Sequence, residues 1–228
     1  WQSKGQDDIS DSNGYGVYAQ RYTADGSTAG SEFQVNTYTP NYQIDPSIAM
    51  DADGDFVIAW SSWNQDGDAY GVYAQRYTAD GIKVGSEFLV NTETSDRQRS
   101  SSVAMDADGD FVIAWQSNLQ DTSDSYGVYA QRYTADGSPA GSEFLVNTET
   151  SSLQESPSVA MDADGDFVIA WTSYLQDGDL LGIYAQRYTA DGITAGTEFP
   201  VNTYITDSQK FSSIAIDADG DFVIAWQS

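Results

Sequence analysis

Short apolar runs recur along the chain and are separated by turns rich in Asp and Gly. The run Phe56-Val57-Ile58-Ala59-Trp60 is apolar throughout, which is typical of a strand covered on both faces. Ser47 to Met50 forms another apolar stretch, and Asp53-Gly54 between the two runs is a hairpin signal. Because no 3.6-residue periodicity continues through the chain, the pattern predicts an all-β fold.

The same pattern occurs four times. The segment GVYAQRYTADG begins at Gly16, Gly71 and Gly127 and returns as GIYAQRYTADG at Gly182. The segment DADGDFVIAW begins at Asp51, Asp106, Asp162 and Asp217. A third shared element, SEFQVNT, begins at Ser31 and has relatives at Ser86, Ser142 and Thr197. We therefore predict a single repeat domain over residues 1–228, with units at about 1–59, 60–114, 115–170 and 171–225 and an overlap at 226–228.

Each copy predicts four antiparallel strands, named A to D, for example A at Ser47, B at Phe56, C at Gly71 and D at Glu87. Repeated four-stranded meanders of this size are typical of β-propeller blades. The chain supplies strands C and D first, then three complete blades, then A and B. We predict a β-propeller of four such meanders, closed by pairing the N-terminal and C-terminal half-blades. A β-sandwich pair, an open solenoid, or a part of a longer array is the alternative.

Charge and composition exclude several kinds of site. The chain of 228 residues has 35 acidic and 9 basic residues, a formal net charge of −26, and no Cys or His. Without Cys and His there is no Ser-His-Asp triad, cysteine nucleophile, disulfide framework or zinc site with nitrogen or sulfur ligands. So acidic a surface repels phosphate backbones and anionic lipids, so we predict no nucleic acid partner and no membrane insertion.

The acidic turn DADGD has two interpretations. Carboxylates at alternating positions could converge on calcium, a hard cation that prefers oxygen ligands. Alternatively, Asp-Gly supplies only the backbone freedom that a tight hairpin needs. Under the first interpretation calcium is the cofactor, and its ligands are Asp51, Asp53, Asp55, Asp106, Asp108, Asp110, Asp162, Asp164, Asp166, Asp217, Asp219 and Asp221.

A meander places its A-to-B and C-to-D turns on one face, and its B-to-C and D-to-A loops on the other. The turns are nearly identical in every copy, whereas the loops differ. Recognition usually lies on variable loops that a rigid scaffold supports, so the variable-loop face is the better surface for a partner. Aromatic side chains in or beside these loops could stack on a sugar ring: Trp63, Tyr70, Tyr126 and Tyr174.

Each copy also has an Arg and a Glu that we expect to face each other as a cross-strand ion pair, such as Arg76 and Glu87.

Catalysis has little support in the sequence. A pair of carboxylates can hydrolyse glycosides, but acid–base catalysis needs unlike groups with separated pKa values in one place. Almost every acidic position occurs four times in equivalent surroundings, and no acid or nucleophile is distinguished from its copies. We therefore predict that the chain is not an enzyme.

The combination QRYTADG, GSEFQVNT and DADGDFVIAWQS resembles tandem repeats of very large secreted bacterial proteins with haemolysin-type calcium-binding and adhesin-like regions. The resemblance covers all four copies and implies an extracellular or cell-surface location. The function predicted is a non-catalytic module for adhesion, surface display or self-assembly, stabilised by calcium if the acidic turns bind it. The alternative is a lectin-like propeller that binds glycans on the variable-loop face. The predicted partners are other copies of the chain, neighbouring modules of a longer chain, or glycans.

Overall fold

The structure is a computed structural model that describes residues 1–4, 14–121 and 125–228. Its strands are β1 (Gln2–Lys4), β2 (Tyr15–Ala19), β3 (Phe33–Gln34), β4 (Gln43–Met50), β5 (Phe56–Trp63), β6 (Tyr70–Tyr77), β7 (Lys83–Leu89), β8 (Gln98–Met105), β9 (Phe111–Asn118), β10 (Tyr126–Tyr133), β11 (Phe144–Leu145), β12 (Gln154–Met161), β13 (Phe167–Tyr174), β14 (Leu181–Tyr188), β15 (Phe199–Pro200), β16 (Lys210–Ile216) and β17 (Phe222–Gln227). The described part of the chain contains no helix that is long and apolar enough to cross a membrane.

Three complete four-stranded sheets follow one another along the chain: β4–β7, β8–β11 and β12–β15. A three-stranded sheet, β1–β2–β3, precedes them, and the two-stranded sheet β16–β17 follows them. Every pairing between named strands is antiparallel, and each complete sheet presents its strands in the order A, B, C, D. The prediction of an all-β fold of repeated antiparallel meanders is therefore confirmed, with three D strands of only two residues.

The core lies between neighbouring sheets, because each B strand is apolar on both faces. Val57 and Ala59 of β5 pack towards the next sheet, against Val103 and Phe111. Phe56, Ile58 and Trp60, on the opposite face of β5, pack with Val17 and Val35 of the first sheet. The same arrangement recurs at the later junctions, where Phe167 also stacks on Tyr188 with ring centroids 4.8 Å apart. A sheet of this repeat thus needs a neighbour on each side to bury its apolar residues.

The two kinds of constant turn meet on one face, as predicted. Asp55 Oδ1, in the A-to-B turn, accepts a hydrogen bond of 2.8 Å from the backbone N–H of Ala79, in the C-to-D turn. Gly54 adopts a φ of 89°, a left-handed conformation that glycine tolerates best, and a Cβ there would lie 3.2 Å from that of Ala79. The glycine therefore serves both the turn and its packing.

The predicted ring closure is not present. Strand β2 pairs with β1, and β17 pairs only with β16 among the described strands. The sequence Trp1-Gln2-Ser3 repeats Trp226-Gln227-Ser228, and β1 fills the position beside β2 that closure would give to the end of β17. The structure is consequently an open array of blades.

The predicted Arg–Glu ion pairs are also wrong for the internal copies. Arg76 donates instead to the carbonyl oxygen of Ala135, in the C-to-D turn of the next sheet. Glu87 accepts hydrogen bonds from the backbone N–H of Thr37, in the preceding copy, at 2.7 Å and from Gln65 Nε2 at 2.5 Å. Both charged groups therefore join neighbouring sheets rather than each other, since backbone groups across the junction offer closer partners than the opposite strand.

Candidate functional site

A buried glutamine stands at the variable-loop end of each A strand, as the first residue of β4, β8 and β12 and as the residue before β16, and it fixes the preceding D-to-A loop. Gln43 Nε2 donates to the carbonyl oxygen of Pro40 at 2.8 Å, and Gln98 Nε2 donates to that of Ser95 at 2.8 Å. The four glutamines are at most 1% exposed: Gln43, Gln98, Gln154 and Gln209. They hold the first residues of all four strands in the same place.

Each A strand then forms a β-bulge two residues after its glutamine. The bulged residues have positive φ angles although none is glycine: Asp45 at 53°, Ser100 at 57°, Ser156 at 54° and Phe211 at 56°. The preceding copy supports the strained backbone, since the Asp45 N–H donates to Gln2 Oε1 at 3.0 Å and the Ser156 N–H donates to Gln116 Oε1 at 3.0 Å. Bulges and residues in rarely populated conformations are concentrated at functional sites, where they redirect side chains.

The four copies differ in side-chain chemistry at these bulges. The residue after the glutamine is Ile44, Arg99, Glu155 or Lys210, and the bulged residue is Asp45, Ser100, Ser156 or Phe211. One equivalent position therefore holds an apolar residue, two cations and an anion. The sequence prediction overlooked this set because it sought motifs that recur. The available signal was that these positions vary within otherwise constant strands.

Asp45 is the carboxyl group of this set with a shifted pKa. Desolvation raises the pKa of Asp45, and the positive charge of Arg99 in the neighbouring A strand opposes that rise. The residue nevertheless keeps an exposed surface at the variable-loop face. A carboxyl group that stays protonated to higher pH and remains accessible is suited to donate a proton to a bound molecule.

Three aromatic side chains lie at the variable-loop ends of the strands near Arg99. Trp63 and Tyr70 meet edge to face with ring centroids 4.7 Å apart, and the Arg99 guanidinium lies 5.7 Å from the centre of the Tyr126 ring. Burial raises the pKa of the Tyr70 hydroxyl, the charge of Asp45 raises it further, and Arg99 opposes both effects. The structure thus brings three of the four predicted sugar-stacking residues, Trp63, Tyr70 and Tyr126, to one site.

Tyr174, the fourth predicted stacking residue, belongs to a different copy. It ends β13, is 37% exposed, and lies opposite Leu181, which occupies the position of Tyr70. The third complete sheet therefore lacks the aromatic pair that the first complete sheet presents. The candidate site is asymmetric, and it lies where β4 and β8 begin.

Basic residues are unevenly distributed over this acidic chain. The four arginines of the repeated QRY segment account for four of the nine basic residues. Three of the remaining five, Arg97, Arg99 and Lys210, lie at the variable-loop ends of A strands. Arg97 and Arg99 both act on the Tyr70 hydroxyl, where their charges lower its pKa. Two of these five residues, Arg97 and Arg99, therefore lie at the candidate site of a strongly negative protein.

The predicted calcium ligands lie on the opposite face, in tight hairpins. Asp51 Oδ1 accepts hydrogen bonds from the backbone N–H groups of Asp53 at 3.0 Å and Asp55 at 2.9 Å. The first aspartate of each of the other three turns makes the same two bonds, and the carboxylates of Asp110 and Asp166 bond a C-to-D turn as Asp55 does. Within the described ranges, no group of three or more acidic side chains is arranged to hold a metal ion. These aspartates therefore stabilise the turns through hydrogen bonds, and calcium binding stays a prediction.

Comparisons with known proteins bear on the fold. No family model and no curated protein matches the chain. A protein of unknown function from Dyadobacter fermentans DSM 18053 has a similar solved structure, with a TM-score of 0.66 and 11% identity over 93% of this chain and 64% of that one. The Hadza microbial sialidase Hz136 matches with a TM-score of 0.52 and 9% identity over 75% of this chain and 39% of the sialidase. An endo-arabinase from Bacteroides thetaiotaomicron VPI-5482 matches with a TM-score of 0.49 and 14% identity over 89% of this chain and 78% of that one.

These likenesses correct two predictions, namely that the chain is a non-catalytic adhesion, display or self-assembly module and that it is not an enzyme. Solved structures with a similar β fold include carbohydrate-active enzymes, among them the sialidase. The absence of Cys and His does not exclude catalysis, because hydrolysis by a pair of carboxylates needs neither residue. The repetition of the acidic positions also has an exception at the bulges, where Asp45 has no acidic counterpart at the equivalent position of any other copy.

Proposed function

We propose that the chain is a carbohydrate-active enzyme that cleaves an anionic polysaccharide at the variable-loop ends of its A strands. One observation carries the proposal: Asp45, a carboxyl group with a raised pKa, stands on a strained bulge beside Arg99 and Tyr70. This juxtaposition supplies the unlike groups that the constant acidic turns lack.

In the proposed reaction Asp45 is the general acid. Its protonated carboxyl group would donate to the glycosidic oxygen as the bond to the sugar ring breaks, because a sugar alkoxide is a poor leaving group without that proton. Glycoside hydrolysis also needs a second carboxylate, which activates water or attacks the sugar. Glu155, the other carboxylate next to an A-strand bulge, lies on β12 with β8 between it and Asp45, so this role falls to an acidic side chain nearer to Asp45.

The substrate class follows from the charge and the aromatic surface. A chain of net charge −26 repels a polysaccharide that carries carboxylates unless cations at the binding site offset this repulsion. The guanidinium of Arg99 can bind such a carboxylate through two parallel hydrogen bonds. Trp63, Tyr70 and Tyr126 offer ring faces and edges for the sugar rings beside it. Because polysaccharides of this kind are mostly outside cells, we also propose an extracellular or cell-surface location.

Turnover of a defined substrate panel tests this function. The purified chain is incubated with uronic-acid-containing, sialylated and neutral polysaccharides, and the release of new sugar ends is measured. We expect turnover of an anionic polysaccharide, and a decrease of about 10²- to 10⁴-fold for Asp45→Asn. Asp53→Asn is the matched control, since it removes one carboxylate from an exposed turn on the opposite face, and it should leave the rate unchanged. No turnover of any member, or equal rates for the chain and Asp45→Asn, would overturn the proposal.

A further inference from the structure

A cleft lies at the junction between the sheets β4–β7 and β8–β11, beside their D strands. It has a volume of about 680 Å³, and its lining includes residues 88–92, Tyr129 and Tyr133 of β10, and Pro139 and Glu143 before β11. Each of the two sheets also packs on a further sheet on its other side, so the cleft is internal to the array. None of the residues of the candidate site lines this cleft.

The lining of the cleft is negative and contains an unused hydrogen-bond acceptor. It holds the carboxylate of Glu143 and, among the described residues, no lysine or arginine. Gln120 Nε2 donates to Glu143 Oε1, whereas the buried Gln120 Oε1 has no hydrogen-bond partner in the described part of the chain. Burial and the charges of Asp121 and Glu143 raise the pKa of Tyr129 to about 12, because all three oppose a phenolate there. The cleft is therefore suited to a cationic ligand that donates hydrogen bonds.

The chain itself supplies such a cation at the preceding junction, between the first sheet and β4–β7. Lys83 occupies the position that is equivalent to Pro139, and its Nζ donates to the carbonyl oxygen of Val35 at 3.0 Å. Val35 is equivalent to Val90, which lines the open cleft. The second cleft thus has the acceptor for an ammonium group, and a proline stands in place of the lysine that would fill it.

The two junctions are otherwise built alike. The Tyr133 hydroxyl donates to the carbonyl oxygen of Val90 at 3.4 Å, as the Tyr77 hydroxyl does to that of Val35 at 3.5 Å. An arginine of the preceding sheet also lies beside the glycine of the C-to-D turn at each junction, namely Arg21 beside Gly81 and Arg76 beside Gly137. The arginine does not exclude an ammonium group, because Lys83 binds at the junction that contains Arg21.

We propose that the cleft beside Pro139 binds a primary alkylammonium group, carried by a free amine or by a lysine side chain. The carbonyl oxygen of Val90 would accept a hydrogen bond from the ammonium group, as Val35 does from Lys83. The carboxylate of Glu143 and the net charge of −26 would attract the cation. This inference goes beyond the proposed function and is independent of it.

Amide chemical-shift titration by NMR tests the binding, with the signals of Val90 and Glu143 as reporters of this cleft. The probes are Nα-acetyl-lysine methylamide, which represents a lysine side chain, and cadaverine, which represents a free amine. The matched uncharged control is the lysine probe acetylated at Nε. Moderate salt screens the weak attraction of any cation to so acidic a surface.

We expect saturable shifts with at least one charged probe, with a Kd on the order of 1 mM or below, and none with the acetylated probe. The charged probe that binds more tightly identifies the source of the ammonium group. Glu143→Gln should weaken binding by about 5-fold or more, because it removes the charge that attracts the cation. Glu155→Gln is the control, since it removes the same charge from β12 and should leave the Kd unchanged.

Two further variants exchange the residues that distinguish the clefts. Pro139→Lys should abolish the saturable shifts, because a tethered ammonium group is present at a high effective concentration, whereas Pro139→Ala should bind as the unmodified chain does. Lys83→Ala should free the first cleft and add saturable shifts at the amides of Val35 and Glu87. Circular dichroism checks that every variant is folded. The inference is overturned if neither charged probe gives saturable shifts, if the acetylated probe binds equally, or if Pro139→Lys and Pro139→Ala bind alike.

Discussion

The two ends of each A strand show how a repeat protein separates structure from chemistry. At the turn end, the four DADGD hairpins repeat the same hydrogen bonds, with the first aspartate accepting from two backbone N–H groups. At the loop end, a buried glutamine and a bulge are equally constant, but the next side chains are Ile44, Arg99, Glu155 and Lys210. The backbone is therefore the same at both ends, and only the loop end varies its charge.

This contrast changes how the acidic residues should be interpreted. The aspartates that recur at the turn end accept hydrogen bonds from backbone N–H groups, so their number reflects the structure of the turns. Desolvation raises the pKa of the turn carboxyl Asp106 as well as that of Asp45, but Asp45 occurs once at its position and has a cation, Arg99, acting on it. In a chain of near-identical copies, the exceptions to the repeat are thus the better guide to a site than the repeat itself.

Removing Arg99 should produce the largest change at the loop end. A hydrogen bond to a charged group contributes about 1.5–3 kcal/mol, so Arg99→Gln should lower kcat/KM for an anionic polysaccharide by about 10- to 100-fold. Arg76→Gln is the control, since it removes the same charge from a side chain that contacts a turn of the next sheet. Steady-state kinetics with a carboxylate-containing substrate and its carboxyl-reduced form measure the effect. Equal losses for the two arginine variants would contradict the separation of the two ends.

Removing a turn aspartate should change stability and leave activity alone. Asp106 is 9% exposed and accepts hydrogen bonds from the N–H groups of Asp108 at 3.0 Å and Asp110 at 2.9 Å. Asp106→Ala leaves these donors without their acceptor and should cost about 1–3 kcal/mol of the free energy of unfolding. Asp108→Ala, at an exposed position of the same turn, should change it by less than about 0.5 kcal/mol. Urea unfolding gives both values, and similar losses in the two variants would show that the hydrogen bonds do not account for the effect.

Local sequence signals were sufficient to predict the strands and their grouping into blades. The apolar run at Phe56 and the Asp-Gly turns predicted β5 and its hairpin correctly, because both depend on neighbouring residues alone. Ring closure depends instead on the curvature that accumulates over successive sheets. The partner of Arg76 and the backbone partner of Glu87 likewise lie in other copies, more than 45 residues away along the chain. Contacts of this kind have no local signature.

The candidate site was only half predictable. Trp63, Tyr70 and Tyr126 could be selected because they are aromatic residues in or beside loops that differ between the copies. Asp45 and Arg99 were missed, since a bulge that gives a non-glycine residue a positive φ is not visible in sequence. Their proximity also requires two adjacent A strands. Only the three-dimensional structure places these groups together.

Calcium binding is the prediction that would give the turn end a second role. If the DADGD turns bind the ion, calcium at ten times the Kd should stabilise the folded chain by about 1.4 kcal/mol for each occupied turn, which raises Tm by about 3–6 °C per turn. Differential scanning calorimetry with calcium or a chelator measures this at constant ionic strength, because salt alone stabilises so acidic a chain. Changing the exposed second aspartates together to Asn (Asp53, Asp108, Asp164 and Asp219) should abolish the response. An unchanged Tm after chelation would leave these turns with a purely structural role.

The smallest expected effect is a shift in pH dependence, and it distinguishes the two ends without removing any carboxyl group. A general acid must be protonated, so turnover should be lost as pH rises through the pKa of Asp45. Desolvation raises that pKa above its usual value and the charge of Arg99 lowers it, so Arg99→Gln should move the alkaline limb of kcat/KM to higher pH. Arg76→Gln should leave the limb in place.

The comparison uses the carboxyl-reduced substrate, so that titration of the substrate does not contribute. A limb that moves to lower pH in Arg99→Gln, or moves equally in both variants, would show that Asp45 is not the titrating acid. The loop end would then lose the chemical role that separates it from the turns.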